Sequence, residues 1–117
     1  MTDRELLELA AKAAGHRIAE WTHDGNGVDV ASIICGEGWG RERPWQPLLE
    51  NQMTDADGDA LRLAVKLRMQ IDILDRSVYA LAMNGAKVCE LDRADIGAAA
   101  RRAVTRAAAE IGKEADK

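Results

Sequence analysis

The stretch that most constrains this chain is Trp45-Gln-Pro-Leu-Leu49 followed by Asp55-Ala-Asp-Gly-Asp-Ala-Leu-Arg-Leu-Ala-Val-Lys-Leu67. Aspartates at 55, 57 and 59 fall where a first helical turn would lie, and negative charge there complements the helix N-terminus. Ala60, Leu63, Ala64 and Leu67 then recur at i, i+3, i+4 and i+7, one apolar face of a helix. Thr54 or Asp55 is the expected N-cap, and the helix is expected to end near 67–69. A Trp and a Pro just ahead of such a start plug a core and fix the direction of approach. The pattern predicts a central helix here, with a sheet-forming half on either side and Trp45 buried.

Upstream, Thr2-Asp-Arg-Glu5 fits a capping box, and Leu6, Leu9, Ala10 and Ala13 form the stripe of a helix over 3–14 that stops at Gly15. Residues 18–23 read as a strand with Ile18 and Glu20 on one face and Trp21 and His23 on the other. Asp24-Gly-Asn-Gly27 is a turn, and 28–35 is the return strand of a first hairpin. Residues 36–44, with three glycines, one proline and several charges, read as a loop, and 50–55 as a linker. Downstream, 70–74 alternates as a strand. Ser77–Met83, Asn84-Gly85 and Ala86–Leu91 form the clearest hairpin, with Asn-Gly predicting a two-residue type I′ turn. Asp92 or Asp95 caps a last helix to about Gly112, and 113–117 is expected to fray.

At 117 residues the chain is expected to form one domain over 1–117. The prediction is an α+β sandwich in the order α-β-β-α-β-β-β-α, with helices on both faces of a four- or five-stranded, mostly antiparallel sheet. Only Trp21, Trp39, Trp45 and Tyr79 are available as aromatic anchors, since there is no Phe. Two cysteines are too few for a disulfide framework. No stretch has the length of a membrane span and none resembles a signal peptide, so a cytoplasmic protein is expected.

The motif Trp45-Gln-Pro-Leu48, the Asp-rich approach to Ala60–Leu67 and the segment Ala99–Gly112 together resemble the phage ABA-sandwich family, small proteins of tailed phages and prophages. Gln46 stands where such proteins more often carry Asn, and the loop over 36–44 is longer. The resemblance implies a bacterial host setting and a sandwich of helices, sheet and helices. The family has no established activity, so the resemblance implies origin and fold rather than mechanism, and no cofactor is expected.

The residues themselves point the same way. Asp55-x-Asp57-x-Asp59 opens like a calcium loop, but Ala60 and Lys66 occupy the positions that require Gly and Glu. His16, His23, Cys35 and Cys89 lack the spacing of a zinc site. Ser32 and Ser77 lack a nucleophile elbow. Gly36-x-Gly38-x-Gly40 has neither the final spacing of a dinucleotide loop nor a helix after it. The expectation is a protein that is not an enzyme and holds no metal.

Two interaction readings remain. Trp39 with Arg41 and Arg43 is the candidate site for a protein partner, a large aromatic on a glycine loop being a natural anchor. Arg102, Arg106 and Lys113, on one side of the last helix, are the candidate nucleic-acid contacts. That second reading is the weaker, because the net charge is −4 and no aromatic interleaves with the basic residues. The other side of that helix, Ile96, Ala100, Ala103, Ala107 and Ile111, is expected to pack on the sheet. Ala98, Ala99, Ala103, Ala107 and Ala108 exceed what one sheet contact requires. A homodimer through that helix, or through Ser77–Ala82 as an outer strand, is therefore expected, with a monomer as the alternative.

Overall fold

The computed structural model describes residues 2–35, 41–91 and 95–115, the side chains of Cys35, Arg41 and Ala115 excepted. Trp39, most of the glycine loop and Asp92 therefore lie outside the described residues.

Two helices start and stop by the same chemistry. In α1 (Asp3–Ala13) the Thr2 hydroxyl accepts from the Glu5 amide, and in α2 (Ala56–Lys66) the Asp55 carboxylate accepts from the Gly58 amide. Each is 11 residues long and closes through a left-handed residue, Gly15 (φ 76) or Arg68 (φ 51). The amides of His16 and Met69 then reach back to the Ala11 and Ala64 carbonyls, both at 2.9 Å. Leu6, Leu7, Ala10 and Ala11 are buried in α1, and Asp59, Ala60, Leu63 and Ala64 hold the same positions in α2.

After each helix comes an antiparallel three-stranded sheet. β1 (Arg17–His23), β2 (Asp29–Cys35) and β3 (Arg41–Trp45) form one, and β4 (Gln70–Ile73), β5 (Ser77–Leu81) and β6 (Lys87–Leu91) the other. The chain is thus a helix-plus-three-strand unit built twice, followed by α3 (Ile96–Ala115). The predicted single sheet of four or five strands is replaced by two sheets, and the order gains a strand. That strand is β3, in a stretch expected to be all loop. It is an edge strand, where a proline is tolerated; Pro44 pairs with Ser32 and lies exposed, while Arg43 and Trp45 point inward.

The register of β1 also differs from a regular strand. It shifts between Ile18 and Glu20, so that Ile18 and Trp21, which plain alternation puts on opposite faces, both pack against the core.

The hairpin over 77–91 is present with a different turn. The Gly85 amide donates to the Ala82 carbonyl at 3.0 Å and the Ala82 amide to the Ala86 carbonyl at 2.8 Å. Only Gly85 has positive φ (90), so Met83-Asn84-Gly85 is a three-residue loop closed by glycine, not a type I′ turn. Gly85→Val puts a β-branched residue in that backbone and is expected to cost about 1–2 kcal/mol in chemical denaturation. An unchanged midpoint would contradict the turn.

The central helix is α3, not α2. Asp95 caps it, its Oδ1 accepting from the Gly97 amide at 2.9 Å. One side presents Ala99, Ala103 and Ala107 to Val78, Ala80, Ala82 and Val88 of the second sheet and its turn. The other presents Val104, Ala108 and Ala109 to α1, α2, Trp45 and Ala31 and Ile33 of β2. Small side chains are needed on both sides because neighbours approach on both. A Cβ on Gly112 would collide with the Leu9 carbonyl of α1. Ile96, expected on the sheet, is instead 37% exposed. The helix runs past the expected end at Gly112 to Ala115, and Glu114 accepts from the Asn84 side chain at 2.9 Å. No helix among the described residues is long and apolar enough to cross a membrane.

Candidate protein-contact surface

Trp45, 1% exposed at the end of β3, is the pivot of the first core, with the His16 ring edge-on at 5.9 Å. Burial first, then the cations of Lys66 and Arg43, hold the His16 imidazole below its ordinary pKa. Gln46 beside Trp45 is fully buried and works as an internal clamp. Its side-chain oxygen accepts from the Leu48 and Leu49 amides at 2.9 and 3.1 Å, and its Nε2 donates to the Asp29 carbonyl at 2.6 Å. The Gln46 amide donates to buried Asp59 at 3.0 Å, and Arg62 closes on the same carboxylate at 2.7 Å, with Arg43 at 3.5 Å. The three aspartates thus do three jobs: Asp55 caps, Asp57 pairs with Arg101 at 2.7 Å, and Asp59 anchors the Trp45–Leu49 segment.

Of the predicted partner anchors, Arg43 turns toward Asp59 and Arg41 lies in β3. The predicted nucleic-acid contacts are brought together only in part. Arg102 and Arg106 converge on Glu90 at 3.2 and 3.0 Å, and Arg102 also meets Asp3 at 3.4 Å. Lys113 pairs instead with Glu110 of its own helix at 3.1 Å.

The candidate soft-metal ligands are dispersed. His23 meets its cross-strand partner Asp29 at 2.8 Å, and His16 lies against Trp45. Cys89 neighbours Tyr79, and that contact raises the phenol's pKa. Among the described residues no group of three or more His, Cys, Asp or Glu is placed to hold a metal ion. Asp24 serves the turn after β1, its pKa lowered chiefly by the Val28 amide. It also accepts from the Gln52 amide at 3.1 Å, which latches the 50–55 linker to the first hairpin.

The surface feature that stands out is apolar. Leu61 and Val65 on α2 are 63% and 68% exposed, and Ile73 and Leu74 at the end of β4 are 64% and 54% exposed. Leu61 and Ile73 line one open groove of about 270 Å³, floored by Ala60, Ile71, Ala100 and Val104 and flanked by the Asp57–Arg101 pair. Val65 lies one turn along α2 from Leu61, and Leu74 follows Ile73 in the chain. A larger hollow of about 670 Å³ between β6 and the start of α3 is lined by Cys89 and the Glu90–Arg102 pair. Isolated exposed leucines are ordinary, whereas clustered ones mark contact sites.

The sequence carried a signal for this surface. Leu61 and Val65 fall off the apolar stripe of α2, and Leu74 follows Ile73, the last alternating position of β4. Comparison with known families, with curated proteins and with solved structures finds no match for the chain.

Proposed function

We propose that this is a non-catalytic accessory protein of phage or prophage origin, acting in the bacterial cytoplasm by contact with protein, and that the α2–β4 face makes the contact. The observation that carries the reading is that Leu61 and Ile73 stand exposed on one apolar groove, with exposed Val65 a turn along α2 and exposed Leu74 next to Ile73 in the chain. Covering such a patch removes aliphatic surface from water, at about 25 cal/mol per Å². The phage setting draws on the resemblance of Trp45-Gln-Pro-Leu48 and the two helical segments. A nucleic-acid contact through α3 is the weaker alternative, because Glu90 and Asp3 already neutralise Arg102 and Arg106 and the net charge is −4.

A photo-cross-linking side chain at position 61, expressed in the bacterial host, tests this. The expected result is a protein adduct at 61 and none at exposed Glu20 on β1. No adduct at 61, or equal labelling at both positions, would contradict the assignment.

A further inference from the structure

The outward row of α2 reads Asp57, Leu61, Val65 and then Arg68 just past the helix end. An acid stands at one end, a base at the other, and two exposed aliphatic residues between them. The equivalent row of α1 is Arg4, Glu8 and Lys12, all charged and exposed. The helix-plus-three-strand unit therefore folds with charge on this row. The aliphatic pair of α2 is not something the architecture needs.

Resting on the reading of this face as a protein contact, we infer that α2 pairs antiparallel with α2 of a second copy of this chain, about a two-fold axis between Leu61 and Val65. Leu61 then meets Val65 of the partner subunit, and Asp57, 76% exposed and holding Arg101 through Oδ1 alone, turns its other oxygen to Arg68 of the partner subunit. The row is complementary to itself in this direction only. A parallel pairing sets Asp57 on Asp57 and Arg68 on Arg68, which repel. A two-fold contact uses the same patch twice, as this arrangement does. Ile73 lines the same groove as Leu61 and extends the buried area.

This dimer differs from both predicted ones. The alanines of α3 are used within the chain, where Ala103, Ala107 and Ala108 are 0% exposed and Ala109 1%. The strand over 77–81 is the centre of its sheet, not an edge.

Sedimentation across a dilution series tests the inference. The wild-type mass is expected to rise from one chain to two by high micromolar concentration. Leu61→Glu is expected to weaken association about tenfold or more, because it sets a charge in the contact. Thermal melting of that variant, changed at an exposed position, is expected to match the wild type at a dilution where both are monomeric. Orientation is read by disulfide formation, with Cys35 and Cys89 changed to Ser. A mixture of Leu61→Cys and Val65→Cys chains oxidised with diamide should cross-link several-fold more than either alone. A wild-type mass of one chain throughout overturns the dimer while leaving the photo-cross-linking result to judge the face for another partner. A Leu61→Glu dimer of wild-type strength overturns the placement on α2. Cross-linking by Leu61→Cys alone that equals the mixture overturns the antiparallel direction.

Discussion

Trp45→Ala is expected to lower unfolding stability by about 3–5 kcal/mol, the range for emptying a buried aromatic site. The ring is 1% exposed and packs within the first core, against residues from α1, β2, α2 and α3. Collapse around the vacated space is opposed by the Gln46 clamp, which holds the following backbone through the Leu48 and Leu49 amides. Calorimetry should show the melting temperature falling by roughly 10–20 °C. Near-wild-type melting would mean that the two halves do not share this core.

Gly112→Ala is expected to destabilise by about 2–3 kcal/mol, and its sign is the informative part. In an exposed helix interior the same change stabilises, by roughly 0.5–1 kcal/mol, through helix propensity alone. Here the added carbon would collide with the Leu9 backbone, so α1 and α3 must separate and loosen the contact of Leu6, Leu7 and Ala10 with Val104, Ala108 and Ala109. Urea denaturation of the two proteins decides it. A more stable variant would remove α1 from the face of α3.

Local chemistry made the helices legible. Thr2 with Glu5, Asp55 and Asp95 cap where a short-range reading places them, because capping involves only residues within one turn. The hairpin over 77–91 was legible in position, though not in turn class, since the sequence Asn-Gly does not say which of the two residues takes positive φ. β3 was hidden because Arg41-Glu-Arg-Pro44 carries no apolar alternation until Trp45; one face of an edge strand meets water. The division into two sheets depends on which strand edges meet in space, and no local signal encodes that.

The role of α3 is hidden in the sequence for a related reason. Alanine contributes so little hydrophobic contrast that a helix buried on two sides looks like one with a solvated back. The basic residues on that back were visible as charges, but Glu90, which Arg102 and Arg106 share, is brought to them only by the fold. The apolar patch was visible residue by residue. Only the fold, which sets α2 and β4 on one groove over α3, brings Leu61 and Ile73 to the same surface.

The most direct measurement of whether the α2–β4 face is covered by protein is methyl NMR with a soluble paramagnetic probe at high micromolar concentration. Leu91, 63% exposed and outside this patch, is the internal control. The Leu61, Val65, Ile73 and Leu74 methyls are expected to be sheltered from the probe while Leu91 broadens, and dilution should expose them again. Equal broadening of all five residues at every concentration would contradict coverage of this face by a second copy.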